Sequence, residues 1–329
     1  MGVKIGYYAV LDMWTPTECL QQAREAERIG FDYIAVEDHF TPLPGGTECN
    51  FGWTVMSSAL QATDRAFFMT CVTAPIMRYH PAIVAQAFAT MGAMYPGRVG
   101  IGVGTGEPPN EMALRGGEWP SNATRLDMLE EAVTIMNKLW TSAEPVSFAG
   151  TYYTLNNAMV LTKPAEKVPV WVSAIGPRAA KLAGRLGDHL FTLATDAPYV
   201  KEVLMPNFEA GAREAGKDPS TMERAVQPSY VYDPDQMLNP EEAIQKMEDP
   251  GAVPGIEKAM DLSLIRSFPH SAEDIIKMIE RCKGMGFDSI CFSNGSFQAA
   301  AEFKAQFPGY TYDPTASVKV WKDVLPHVR

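Results

Sequence analysis

Three stretches of this chain carry side chains that could do chemistry, and each directly follows an apolar run. Asp38-His39 follows Tyr33 to Val36. A histidine, ordinarily titrating at about 6.5, beside a carboxylate is suited to moving a proton in either direction. The second stretch is Gly102-Val103-Gly104-Thr105-Gly106-Glu107, in which glycines let a backbone come close to a planar ring and Glu107 supplies a carboxylate. It resembles a phosphate loop, but the glycines do not complete a dinucleotide fingerprint in a βαβ context, so a Rossmann reading is rejected. The third is Ala174-Ile175-Gly176-Pro177-Arg178, where a strand passes into a helix. A helix start with open glycine access and a nearby arginine is a ready anion site. Taken singly, each stretch also reads as an ordinary turn with solvated charges.

The surrounding elements decide whether these stretches meet. Short apolar runs alternate with helix-length amphipathic segments along the chain, the rhythm of a parallel sheet covered by helices. Strands are predicted at Val3 to Val10, Tyr33 to Val36, Phe67 to Val72, Val99 to Val103, Val168 to Ala174, His189 to Leu193, Ala225 to Tyr230 and Ser289 to Phe292. Thr15-Pro16-Thr17-Glu18 reads as a capping box with proline at the first helical position, opening a helix that stops at Gly30. A second helix is expected from Arg125 to Trp140, a hairpin from Val146 to Tyr153 turning at Ala149-Gly150, and a closing helix at Val318 to Leu325. The stretch from Asp233 to Ser267 gives no clear pattern. The expected architecture is one α/β domain over residues 1–329, a (β/α)8 TIM barrel with insertions. In such a barrel the loops after the strands converge at one end, which would gather Asp38, His39, Cys71 and Glu107 into one pocket.

Composition narrows the functions. With 28 Lys and Arg against 39 Asp and Glu, the net charge of -11 argues against a nucleic-acid or anionic-membrane surface. No signal peptide or membrane-length apolar run is legible, so a cytoplasmic protein is expected. Five scattered cysteines without a Cys-x-x-Cys pair fit reduced thiols and predict neither a disulfide framework nor a metal site.

Longer motifs carry a resemblance. Asp38-His39-Phe40-x-Pro42, then Arg78-Tyr79-x-Pro81-Ala82-Ile83-Val84-Ala85-Gln86-x-Phe88-Ala89-Thr90, Tyr95-Pro96-x-Arg98 and Gly104-Thr105-Gly106-Glu107-x-x-Asn110-Glu111 look like the F420-dependent alcohol and glucose-6-phosphate dehydrogenases of the bacterial luciferase-like family. The match is specific over about residues 3 to 125, continues from Trp171 to Asp188 and weakens beyond Tyr232. The resemblance implies a TIM barrel with the deazaflavin coenzyme F420 in its mouth, a small-molecule substrate and a homodimer. It implies that His39 is the acid/base group, that Asp38 contacts the coenzyme, and that Glu107 lies by the polar edge of the ring. Thr105, Gly106 and Asn110 would line the ring or its ribityl chain. Ile175, Gly176, Arg178 and Ala179 would hold the phosphate, with the anionic tail leaving near Arg178 and Lys181. The bond matching Cys71-Val72 is a non-prolyl cis peptide in relatives, pressing with Ala74 on the ring face.

Departures bear on the substrate. Leu43 stands where relatives carry Trp, and Asp12 where they tend to have the longer Glu. After the sixth strand, sugar-phosphate enzymes place Thr and Lys, whereas this chain reads Leu193-Ala194-Thr195-Asp196, which disfavours a phosphorylated substrate. Tyr7, Phe51 and Trp53 could rebuild an apolar wall. The leading expectation is hydride exchange between the deazaflavin and a small unphosphorylated alcohol or ketone. Three alternatives stay open: reduction of a pterin-bound one-carbon unit, an FMN-dependent monooxygenase, and a non-catalytic deazaflavin-binding protein.

Overall fold

In the computed structural model, which describes residues 2–42, 46–228, 271–293 and 314–328, parallel strands surround a packed interior. The strands are β1 (Lys4–Ala9), β2 (Tyr33–Val36), β3 (Phe67–Thr70), β4 (Ile101–Val103), β7 (Val170–Ser173), β8 (His189–Thr192), β9 (Arg224–Val226) and β10 (Ser289–Ser293). A separate antiparallel hairpin is formed by β5 (Val146–Ala149) and β6 (Thr154–Ala158). The parallel strands pair in the order β3-β2-β1-β10-β9-β8-β7-β4. Isolated bridges Phe68 to Val99 and Thr73 to Val103 join the two ends, closing the sheet into the expected barrel. β2 is buried at all four positions and β1 at all but Lys4, as strands covered on both faces must be.

The helix signals act as their chemistry dictates. Helix α1 (Pro16–Ile29) starts at Thr15, whose side chain accepts from the Glu18 amide while Glu18 reaches back to the Thr15 amide. It ends at Gly30, whose φ of 104° is a left-handed cap that a Cβ would disfavour. Helix α2 (Gly52–Ala62) and helix α3 (Pro81–Met94) flank β3, and α4 (Pro108–Arg115) follows β4. Helix α5 (Asn122–Thr141) buries Leu126, Leu129, Val133, Met136, Leu139 and Trp140, the face read from its periodicity.

Several boundaries differ from expectation. β3 ends at Thr70, just before the Cys71-Val72 peptide, which is cis. The second hairpin strand begins at Thr154, since Thr151, Tyr152 and Tyr153 turn their amides toward Glu131. The closing segment is a short α-helix at Ala316–Lys319, a 3-10 turn at Val320–Asp323 and another short helix at Leu325–Val328, with Pro326 unable to donate into a continuous helix. The expectations for Leu43, for Tyr230 and for the Asp233 to Ser267 stretch lie outside the described residues.

Candidate active site at the barrel mouth

The chain leaving β1 brings Asp12 against the chain leaving β2. His39 Nδ1 lies 2.9 Å from Asp12 Oδ2 and 4.0 Å from Glu37 Oε2. Glu37 and Asp12 are fully buried, whereas the His39 side chain keeps 14% exposure. Burial alone would lower the imidazole pKa, but the Asp12 hydrogen bond and the charges of Glu37, Asp12 and Glu107 outweigh it and push it up to about 9. Burial pushes the Glu37 carboxyl up as well, with the charge of His39 and amide hydrogen bonds opposing. His39 therefore carries its proton at neutral pH, and its second ring nitrogen is left for the pocket.

Residue 38 faces the other way, as alternation along an extended segment requires. The Asp38 carboxylate, expected at the coenzyme, is 2% exposed and engaged by protein. It accepts from Thr73 Oγ1 at 2.7 Å and Tyr79 Oη at 2.9 Å, and Arg78 lies 3.3 Å away. Arg78 also donates to the Asp38 carbonyl at 2.7 Å and faces buried Glu111 at 3.7 Å. Trp53 stacks on Tyr79 with centroids 4.4 Å apart and donates to Thr73 at 3.2 Å. This layer braces the His39 loop from behind.

Asn110 has a structural part beside the one expected. Its side-chain oxygen accepts from the Phe40 and Thr41 amides at 2.7 and 3.0 Å, and the residue is buried. It pins the turn after His39 to α4. The glycines also do more than admit a ring. A Cβ on Gly104 would lie 2.7 Å from Val72, and one on Gly102 would lie 2.2 Å from the Thr70 carbonyl. Gly106 has φ +72°, and a Cβ there would lie 2.8 Å from Glu111 and 3.2 Å from Ala74. Their bareness lets β4 pack on the segment carrying Cys71, Val72 and Ala74. Cys71 is buried and contacts Gln227 Oε1 at 3.7 Å. Val72, Thr105 and Gly106 are partly open, and Glu107 is exposed at the start of α4.

Across the mouth, helix α6 (Pro177–Leu186) starts at Gly176 without a side-chain cap, and a Cβ at Gly176 would meet nothing within 4 Å. Ile175, Gly176 and Ala179 are partly open. Arg178 is exposed and paired with Asp127 at 2.5 Å. It joins Lys181 and Arg185 along a groove of about 350 Å³ on the helical shell, whose cations are matched by Asp127, Glu214 and Glu130. Leu193 is partly buried, Thr195 is buried, and Asp196 spends its carboxylate capping the following turn at Tyr199. Of the aromatic wall, Phe51 and Trp53 lie together, but Tyr7 is buried in the core with its hydroxyl on Gln22, so it walls no pocket.

Sequence reasoning gave no role to Glu37, Thr73, Arg78, Tyr79 or Glu111. Glu37 was open to discovery, because alternation puts residues 37 and 39 on one side and residue 38 on the other. Buried Arg78 needed partners, but nothing local in the sequence says that they are Asp38 and Glu111.

A closed parallel barrel with a histidine–carboxylate pair at its mouth defines a TIM-barrel architecture. The chain belongs to the luciferase-like monooxygenase family, whose profile matches residues 5–297. It is 41% identical over 242 residues to the F420-dependent glucose-6-phosphate dehydrogenase of Segniliparus rotundus, covering 72% of this chain and 71% of that one. It is 36% identical over 291 residues to the enzyme of the same name from Mycolicibacterium fortuitum, covering 88% and 82%. A solved F420-dependent secondary alcohol dehydrogenase, in complex with an F420-acetone adduct, superposes with a TM-score of 0.81 at 40% identity over the full length of both chains. An F420-dependent tetrahydromethanopterin reductase from Methanopyrus kandleri, 19% identical with a TM-score of 0.76, shares the fold.

Proposed function

We propose that this chain is an F420-dependent oxidoreductase acting on a small unphosphorylated alcohol and its ketone or aldehyde. The observation that carries the reading is His39, held by Asp12 at the barrel mouth with one ring nitrogen left for a substrate oxygen. The residues present fit the coenzyme. The α6 start is open to a phosphate, and Val72, Thr105 and Gly106 offer a partly open edge to a flat ring. F420, when bound, would supply the hydride acceptor or donor.

The chain's own groups would do the rest. Protonated His39 would donate to a carbonyl oxygen being reduced, and neutral His39 would take the hydroxyl proton of an alcohol being oxidised. Asp12 would hold the imidazole ring in one orientation and stabilise its charged form. Glu107 would lie toward the polar edge of the ring, and Ile175, Gly176, Arg178 and Ala179 would hold the phosphate. Leu193 would border the substrate, whereas Asp12, expected there too, is fully buried and would act on it only through His39. An unphosphorylated substrate is favoured because Leu193, Ala194 and Thr195 present no cation after β8 and Asp196 adds a carboxylate. The homodimer belongs to the same proposal and is tested by light scattering.

The decisive experiment is a titration with F420 and, separately, FMN, followed by the coenzyme's visible absorbance when isopropanol or another small alcohol is added. Deazaflavin binding with bleaching supports the dehydrogenase. Binding without bleaching sinks the alcohol substrate, and binding of FMN alone replaces the proposal with a monooxygenase.

A further inference from the structure

The buried carboxylate beside the dyad has no part in the chemistry so far. Glu37 is fully buried just beyond the end of β2. Its Oε1 accepts from the backbone amides of Leu11 and Asp12, the latter at 2.8 Å. Its Oε2 accepts from Tyr8 Oη at 3.2 Å and lies 4.0 Å from His39 Nδ1. One side chain thus ties down the loop that carries Asp12 and faces the ring that Asp12 holds. Asp12 has a short side chain, so its reach to His39 depends on where its backbone sits.

We propose that Glu37 is a positioning residue for His39: it fixes the β1-end loop so that Asp12 reaches Nδ1, and it presents a second carboxylate to the same nitrogen. The inference deepens the dehydrogenase reading and rests on it for its functional meaning, although the geometry does not. The three groups are near enough to one another to consider a cation. Yet the 2.9 Å between Nδ1 and Oδ2 is a hydrogen-bond distance, and both Glu37 oxygens already accept from protein donors. A shared proton accounts for the cluster.

The groups facing this pair are few among the described residues. Asp12 and Tyr8 come from the first strand and its loop, Glu107 from the loop after β4, and the thiols of Cys19, Cys49 and Cys71 from their own segments. The carboxylates among them all favour a positive imidazole. Two acids on one side of the ring raise its affinity for a proton, so at neutral pH His39 stands in the charged form that carbonyl reduction uses, and the neutral form that alcohol oxidation uses appears only at higher pH.

The test is Glu37→Gln, which keeps an amide-accepting oxygen and removes the charge. The His39 titration would be followed by NMR in the protein alone, with no coenzyme added, so that the result stands whether or not the dehydrogenase reading does. The expected result is a His39 midpoint lowered by about one unit, a tenfold fall in the ratio of protonated to neutral imidazole at a given pH. In coenzyme assays the midpoint of the kcat/KM profile for alcohol oxidation should move down with it. A folded Glu37→Gln protein whose His39 titrates as in the parent overturns the proposal. Should that variant fail to fold, Asp12→Asn decides, since it keeps Glu37 and its amide contacts. A midpoint still above 6.5 supports the second carboxylate, and one at or below 6.5 overturns it.

Discussion

On the proposed function, His39 would concentrate the chemistry of this molecule into one ring, held at Nδ1 by Asp12 with Glu37 behind it. Replacing it with Ala should lower turnover by about 100- to 10,000-fold while leaving coenzyme affinity nearly unchanged, because a general acid/base contributes on that scale and the ring does not carry the coenzyme's anion. Steady-state rates and a binding titration on the same protein check both halves. The pH dependence has a definite sign. Its pKa is raised to about 9, so alcohol oxidation, which needs the neutral ring, should rise as pH passes through that value. Carbonyl reduction, which needs the proton, should fall over the same range. A kcat/KM profile for oxidation with no inflection near that value would remove His39 from the proton path.

Packing between elements explains which parts of the site were legible beforehand. Strand order, the capping box at Thr15 and the buried face of α5 follow from local rules, since propensity, period and cap all act within a few residues. Asp38, His39 and the glycine loop could be placed at the mouth because a barrel puts every strand end there. Their directions could not be read. The Asp38 carboxylate turns to Thr73 and Tyr79, and the Asn110 oxygen turns to amides seventy positions earlier, because those partners come from other strands and helices. The glycines likewise answer to β3. Gly102→Ala would drive a Cβ against the Thr70 carbonyl, and overpacking of this kind costs about 1–3 kcal/mol. A thermal melt should show that loss, and weaker coenzyme binding should accompany it, whereas Gly284→Ala, with no atom near its Cβ, should melt as the parent does.

Across the whole molecule the charge of -11 opposes an anionic coenzyme at long range, although the proposed phosphate site at the α6 start would attract it locally. Raising ionic strength from about 0.01 to 0.15 M shortens the screening length from about 30 to 8 Å, so association should quicken over that range and then level off. Stopped-flow binding would show it, and a monotonic slowing would mean that local cations dominate the approach. Among the described residues no helix is long and apolar enough to cross a membrane. The closure between β3 and β4 differs from the rest of the barrel, being made by two isolated bridges and not by a continuous ladder. Such a seam is where local opening costs least, so the amides of Phe68, Thr73, Gly100 and Gly104 should exchange with deuterium before those of β1 and β2. A flat ring resting on Val72 would lie across this zip, and the slowing of exchange there on adding coenzyme would turn the weakest join in the wall into a built-in reporter of occupancy.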